Sequence, residues 1–134
     1  MRQAAKRLLL AGGLAGALLV FGAAIWLMVS LYALFNNPFN DSKFDREVWL
    51  EFADNDDPDN PRGGMACDVR RIVLSKGKRK AEVLSLLGEP DFAKDEQVFK
   101  YNLGMWSGFR IDYDSLDVRF DAHGKAVEVQ IVQH

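Results

Sequence analysis

An uncharged apolar run from Leu8 to Phe35 constrains this chain more than any other feature of its sequence. The run contains no Lys, Arg, Asp, Glu, Asn, Gln, His or Pro. As a helix it would reach about 42 Å, whereas the hydrocarbon core of a bilayer is about 30 Å thick. It is about twice as long as the apolar stretch of a cleaved signal peptide, and no small-x-small cleavage site follows it. We therefore expect an uncleaved transmembrane anchor over residues 8–35, with a cleaved leader as the alternative.

Charge is distributed unevenly on the two sides of this run. Arg2, Lys6 and Arg7 form a basic flank over residues 1–7, whereas residues 36–134 carry 14 Lys and Arg against 19 Asp and Glu, a net charge of −5. Positive residues beside a membrane helix favour the cytoplasmic side. We therefore expect a single pass through the cytoplasmic (inner) membrane, with the N-terminus inside and the C-terminal domain outside. The acidic balance also argues against nucleic-acid binding.

Gly12 and Gly16 form a G-x-x-x-G pattern within the run. Small residues at this spacing allow two helices to approach each other closely. The pattern is also common by chance in helices rich in glycine and alanine. Two interpretations stay open, a weak homodimer through Gly12 and Gly16 or a helix that faces lipid on all sides.

Residues 36–62 are interpreted as a juxtamembrane linker and an acidic loop. The apolar residues of segment 44–52 fit a helical stripe and a strand equally well, and we expect a short arm that docks through Trp49 or Phe52. In the loop that follows, Pro58 and Pro61 occupy positions where an EF-hand needs ligands or glycine. A solvated loop is favoured over a calcium site, which remains the alternative.

Two helices are predicted at the start of a domain over residues 63–134. The first should run from about Met65 to Ser75, since apolar residues recur there on one helical face. The second should end at Gly88, which we expect in a left-handed C-cap conformation, with Pro90 just beyond it.

Three strands are predicted after the helices, because apolar and polar residues alternate in three segments. Gly124 is expected in a left-handed position of the tight hairpin between the last two strands. The fold class is therefore α+β, a single N-terminal transmembrane helix followed by a small helix–helix–three-stranded antiparallel sheet domain. The inward residues should be Phe99, Tyr101 and Leu103, then Leu116, Val118 and Phe120, then Val127, Val129 and Ile131. The polar face should carry Lys100, Asn102, Arg119, Glu128 and Gln130.

The order of these motifs resembles the SmpA/OmlA (BamE-like) family of small envelope proteins, over about residues 65–134. That family includes the small lipoprotein of the outer-membrane protein assembly machine and shares the β-lactamase-inhibitor-protein-like fold. A membrane helix stands here in place of the family's lipidated N-terminal cysteine. The matching residues are Gly77, Glu82, Val83, Leu86, Leu87, Gly88, Pro90, Asp91, Tyr101, Leu103, Gly104, Leu116, Val118, Phe120, Asp121, Gly124, Lys125 and Val127.

Two surface features are candidates for binding. The turn between the helices contains Lys76, Lys78, Arg79 and Lys80. This segment is either a solvated turn or a patch that binds anionic headgroups. The loop over residues 104–115 carries Met105, Trp106 and Phe109, which either cap the core or contact a partner. We expect Trp106 to cap the core and Phe109 to be partly exposed.

Residues that could support catalysis or metal binding are sparse in this sequence. His123 and His134 lack partners at metal-ligand spacing, and Cys67 is best interpreted as a small buried hydrophobe, with intermolecular pairing as the alternative. Asp112, Asp114 and Asp117 read as turn residues rather than a catalytic pair. We expect no enzymatic activity, no cofactor and no metal.

The function expected from these observations is that of a membrane-anchored, non-enzymatic envelope protein that binds an envelope protein as its partner. The contact should be made by a sheet edge or by the 104–115 loop. A role in envelope or outer-membrane assembly is what the family resemblance implies. The alternative is an inhibitor or ligand-sensing module, by analogy with inhibitor-like members of the same fold.

Overall fold

The computed structural model describes the backbone of residues 2–92 and 95–134, and the side chains of residues 13–32, 35–92 and 95–134. The chain divides between Asn37 and Pro38 into two compact units. The first contains the N-terminal helix. The second, Pro38–His134, is called the folded unit below.

The N-terminal helix, α1, runs from Arg2 to Phe35. Its segment Gly13–Tyr32, of 20 residues, has a mean hydropathy of 2.3, and none of it is buried inside the protein. That length corresponds to about 30 Å, the thickness of a bilayer's hydrocarbon core. The Ser30 hydroxyl donates to Trp26 O at 2.8 Å and is thereby satisfied within the helix. The chain thus has an N-terminal helix that is long and apolar enough to cross a membrane.

The glycine pair considered for a helix dimer is only partly described. The surroundings of Gly12 lie outside the described residues, and Gly16 has no neighbour within 4 Å of the position that a Cβ would take. Dimerisation through these two glycines stays a prediction.

The described part of the folded unit consists of helices followed by one sheet. A 3-10 turn at Pro38–Asn40 precedes helices α2 (Arg46–Glu51), α3 (Arg62–Ser75) and α4 (Lys80–Leu87). The strands are β1 (Val98–Gly104), β2 (Asp114–Phe120) and β3 (Ala126–Val132), paired antiparallel in the order β1-β2-β3. Helix α3 packs on β1 and β3. The predicted α+β fold class and the order of its elements are confirmed.

The segment before α3 contributes to the core of the folded unit. Phe39 and Trp49 are buried, and the Trp49 indole donates to Leu87 O at 3.1 Å. Segment 44–52 is helical rather than extended because Asp45 caps it, with its carboxylate accepting from Glu47 N at 3.0 Å and from the next amide. The expected docking of this arm through Trp49 is confirmed.

Helix α3 begins three residues before its predicted start, at Arg62 instead of Met65. Two glycines that the prediction placed before the helix lie in its first turn. A Cβ at Gly63 would clash with the indole of Trp106, and one at Gly64 would lie 3.1 Å from Ser42 Oγ. The helix therefore extends here in spite of the weak helix propensity of glycine, because neighbouring chain segments pack closely against it.

The register of the sheet corrects one of the predicted inward residues. Arg119 pairs with Glu128 and Phe120 pairs with Ala126, so β3 carries one extra residue, Val127. A β-bulge of this kind shifts the alternation of side chains by one position. Val127 is 53% exposed and Ala126 is buried. The prediction of an inward Val127 was therefore wrong, whereas Val129 is buried as predicted.

Gly88 ends α4, but its conformation differs from the predicted one. Its φ is 77° and its ψ is −172°, a region essentially restricted to glycine and distinct from the left-handed helical region. Its N–H donates to Leu84 O at 2.8 Å, and a Cβ would lie 2.9 Å from Leu50 Cδ2. The position therefore requires glycine for both conformational and steric reasons, and Pro90 follows two residues later.

A buried ion pair joins the start of α3 to the segment after α4. Arg62 is fully buried, and its Nη1 lies 2.8 Å from Asp91 Oδ2. Its Nε donates to Trp49 O at 2.6 Å, and its guanidinium carbon lies 4.7 Å from the centroid of the Trp49 ring. Asp91 also accepts from the backbone N–H of Asp54 at 2.9 Å and of Asn102 at 2.7 Å. The pair thus links α2, α3 and β1.

The electrostatic effects of this pair follow from its burial. Desolvation lowers the pKa of Arg62, and the nearby carboxylate of Asp91 partly offsets that shift. Burial also raises the pKa of Tyr101, whose hydroxyl donates to Gly88 O at 3.1 Å. Sequence reasoning placed Arg62 in the acidic-loop region and assigned it no role.

Candidate functional site

The loop between β1 and β2, residues 105–113, is called the contact loop below. A buried carboxylate at the start of β2 organises it. Asp114 accepts from the backbone N–H of Trp106 at 2.7 Å and of Ser107 at 2.8 Å, and also from the Ser107 hydroxyl. These bonds fix the first turn of the loop to the sheet.

Contacts with the acidic loop hold the far side of the contact loop. Arg110, in a positive-φ conformation at 56°, donates from its Nε to Met105 O at 2.8 Å and forms an ion pair with Asp59. The Tyr113 hydroxyl donates to Asp56 O at 3.2 Å. The acidic loop therefore supports the contact loop, a role that sequence reasoning did not assign to it.

Trp106 covers the core beside the first turn of α3. Its ring is half-buried against the core, and its indole N–H donates to Asn60 O at 3.0 Å. Asn60 is fully buried and accepts from Arg62 N at 3.0 Å. The arrangement agrees with the expected core-capping position of Trp106, and Met105 beside it is half-buried.

The tip of the contact loop presents two apolar side chains to solvent. Phe109 is 93% exposed and Ile111 is 80% exposed. Phe109 was predicted to be partly exposed and is almost completely so. Ile111 was missed, although its apolar character in a polar loop was visible in the sequence. These two residues are called the apolar tip below.

The contact loop and the point where the folded unit begins lie at the same end of α3. Gly64 O accepts from the backbone N–H of Asp41 at 3.0 Å, and a Cβ at Gly64 would lie 3.8 Å from Pro38 O. The neighbouring residue, Gly63, packs against Trp106. Pro38 and the contact loop therefore flank the first turn of α3.

A cluster of five cations lies at the opposite end of α3 and is called the basic end below. The turn after α3 pairs with the β2–β3 hairpin, since Lys80 N donates to Gly124 O at 3.0 Å and Ala126 N donates to Lys78 O at 2.8 Å. The side chain of Lys125 covers Gly77, and Gly124 has the predicted positive φ, at 74°. The five cations are Lys76, Lys78, Arg79, Lys80 and Lys125.

Two carboxylates near the basic end interact with backbone amides. Glu82 accepts from the backbone N–H of Arg79 at 2.7 Å, which caps α4 in place of an N-cap side chain. Asp121 accepts from the backbone N–H groups of Lys125 and His123, each at 2.9 Å. The bond from Lys125, followed by that from His123, holds the pKa of Asp121 below its usual range.

One edge of the sheet, that of β1, is less accessible than the contact loop. The outer edge of β1 is covered at two points, because Asn102 N donates to Asp91 and Phe92 N donates to Lys100 O at 3.2 Å. Asn102 is buried and its side chain donates to Asn55 O at 3.2 Å, so its predicted position on an exposed polar face was wrong.

The remaining residues considered for chemistry are engaged in structural contacts or exposed. Asp117 pairs with Lys100 at 3.1 Å, Asp114 accepts from the backbone of the contact loop, and Asp112 is exposed. Asp112, Asp114 and His134 line one open cavity of about 330 Å³. Among the described residues, no group of three or more His, Cys, Asp or Glu side chains could hold a metal ion. Cys67 is half-buried against the core, and His123 and His134 are exposed.

Comparisons with known proteins found no match to this chain among family models, curated proteins or solved structures.

Proposed function

We propose that this chain is a membrane-anchored, non-enzymatic envelope protein that binds another envelope protein through its contact loop. Helix α1 supplies the anchor in this account, and the folded unit supplies the binding surface. The observation that carries the proposal is the apolar tip, in which Phe109 and Ile111 are exposed on a loop whose backbone is held by buried Asp114.

The energetics of the apolar tip favour a contact with a partner. Burying a Phe or Ile side chain contributes about 1.5–3 kcal/mol. Because hydrogen bonds to Asp114, Asp59 and Asp56 already order the loop, little conformational entropy is lost when a partner binds. Aromatic side chains such as that of Phe109 are enriched in the cores of protein–protein interfaces.

The short connection between α1 and the folded unit favours a partner at the membrane. Only two residues, Asn36 and Asn37, separate α1 from Pro38 along the chain. Two residues span at most about 7 Å. The partner we expect is therefore an integral membrane protein or a protein bound at the membrane surface.

The orientation and the pathway belong to the same proposal. The basic flank of Arg2, Lys6 and Arg7 supports an N-terminus inside the cytoplasmic membrane and a folded unit outside it. The resemblance to the SmpA/OmlA family supports a role in envelope or outer-membrane assembly. The helix–helix–three-strand order of the folded unit is the order of elements in which that resemblance was recognised.

A photo-crosslinking amino acid at position 109 tests the proposed contact in intact cells. We expect a discrete protein adduct from position 109 of the full chain. The matched control is position 127, because Val127 is also exposed but lies on β3. We further expect Phe109→Ser to weaken the contact by about 2 kcal/mol, or about thirtyfold, when the adducted protein is titrated. The melting temperature should not change, because the Phe109 ring is solvent-exposed.

Two outcomes would contradict this proposal. One is the same set of adducts from positions 109 and 127, which would mean that the apolar tip has no specific partner. The other is an unchanged affinity for the adducted protein after Phe109→Ser.

A further inference from the structure

The basic end combines two segments that are far apart in sequence. Residues 76–80 lie in the turn after α3, whereas Lys125 comes from the β2–β3 hairpin. Backbone hydrogen bonds from Lys80 to Gly124 and from Ala126 to Lys78 fasten the two segments together, and Arg79 forms an isolated bridge with Lys125. The five cations are therefore presented by one hydrogen-bonded unit and not by a free turn.

None of these five cations forms an ion pair with any residue that the structure describes, although the folded unit has an excess of acidic residues. Elsewhere in the folded unit, five basic residues do form ion pairs, namely Arg62, Arg71, Lys100, Arg110 and Arg119. The two carboxylates nearest the basic end accept from backbone N–H groups instead. The basic end is thus a positive surface on which five cations outnumber the two nearby carboxylates, Glu82 and Asp121.

Apolar contacts further limit the freedom of two of these lysines. The Lys80 ammonium lies 5.7 Å from the centroid of the buried Phe120 ring, and the stem of Lys125 packs on Gly77. Lys78 and Lys80 are half-buried, while Lys76, Arg79 and Lys125 are exposed. Two of the five cations are therefore held in position by contacts with the folded unit. Clustered ammonium groups and a guanidinium are suited to bind the several oxygens of a phosphate group.

We propose that the basic end binds a phosphate-bearing anion, either a phospholipid headgroup or a soluble phosphate. This binding is separate from the protein contact made by the contact loop, because α3 is 14 residues long and puts about 20 Å between the two surfaces. A phospholipid headgroup would come from the chain's own bilayer, and a soluble phosphate from the surrounding solution.

Lysine acetylation of the full chain in lipid nanodiscs tests this proposal and separates the two sources. The probes are discs of phosphatidylcholine alone, discs that also contain phosphatidylglycerol, and phosphatidylcholine discs with inorganic phosphate in solution. Bound phosphate should slow acetylation of Lys76, Lys78, Lys80 and Lys125 by about fivefold, as expected for basic residues held at an anionic surface. Lys100, on the sheet, is the internal reference.

A pair of double variants controls for net charge. Lys76→Gln with Arg79→Gln should abolish the protection of the remaining lysines of the basic end. Lys43→Gln with Arg70→Gln removes the same charge from exposed positions elsewhere and should leave the protection intact. Both variants should melt as the parent chain does, since all four side chains are exposed.

Each outcome of this experiment decides the proposal. Protection by phosphatidylglycerol discs alone identifies a lipid headgroup, and protection by inorganic phosphate identifies a soluble phosphate. Equal acetylation under all three conditions would overturn the proposal. Equal loss of protection in the two double variants would also overturn it, because that result reports net charge and not a site.

Discussion

Asp91→Ala is expected to lower the free energy of unfolding of the folded unit by about 3–5 kcal/mol. The substitution leaves the guanidinium of Arg62 fully buried without its carboxylate partner. It also removes the acceptor for the backbone N–H groups of Asp54 and Asn102. Urea unfolding of residues 38–134, followed by circular dichroism, measures the change.

Asp59→Ala is the matched control for this substitution. It also removes an aspartate that is paired with an arginine, but the Asp59–Arg110 pair is exposed, with side-chain exposures of 69% and 50%. An exposed pair contributes about 1 kcal/mol or less. Equal destabilisation by the two substitutions would contradict this prediction. It would mean that the buried Arg62–Asp91 pair contributes no more to stability than the exposed pair.

Trp49→Ala is expected to cost about 3–5 kcal/mol, as for other buried aromatic side chains. Trp49 is fully buried, packs between Phe44 and Tyr101 at ring-centroid distances of 5.9 and 6.0 Å, and donates to Leu87 O. Its loss removes the one fully buried side chain of α2, while Val48 and Leu50 still pack against the core. Since 1 kcal/mol shifts the melting temperature of a domain of this size by about 4–8 °C, a decrease of more than about 12 °C should be seen.

Trp106→Ala provides the comparison for Trp49→Ala. Trp106 is half-buried, so its truncation should lower the melting temperature by less. A larger decrease for Trp106→Ala than for Trp49→Ala would show that the contact loop contributes more to the core than the arm does. That result would contradict the assignment of Trp49 to the centre of the folded unit.

The features that could be predicted from the sequence are those set by local periodicity. The apolar run predicted α1, and alternating residues predicted β1 and β2. The hairpin glycine and the residue that ends α4 were also visible, because turns and caps have local sequence signals. The conformation of Gly88 was mispredicted because a glycine at a helix end marks the boundary without fixing its ψ, which is −172° here.

The features that could not be predicted depend on contacts between distant residues. Arg62 and Asp91 are 29 positions apart, and nothing local marks either of them as buried. Val127 faces solvent because β3 has a β-bulge opposite the end of β2. The bulge depends on how the two strands pair, and the alternation of residues within one strand does not reveal it. Lys125 joins the basic turn only because the hairpin folds against it.

The contact loop shows the same division between local and distant information. Its aromatic residues were recognised, but the sequence could not decide which of them would be exposed. Asp114 and Asn60 hold Trp106 against the core by binding its backbone and its indole, whereas the Phe109 ring is 93% exposed. Asn60 and Asp114 are fully buried, although they lie in polar segments that gave no sign of burial in the sequence.

The topology of the full chain tests the central claim most directly, since the account requires an anchored folded unit outside the cytoplasm. A reporter enzyme that is active only outside the cytoplasm should be fused after His134 and assayed in intact cells. We expect this reporter to be active and to remain with the membrane fraction after a carbonate wash. Removal of residues 1–37 should release the folded unit from that fraction. Activity of a cytoplasm-only reporter at the same position would contradict the account, as would loss of the full chain from the washed membranes.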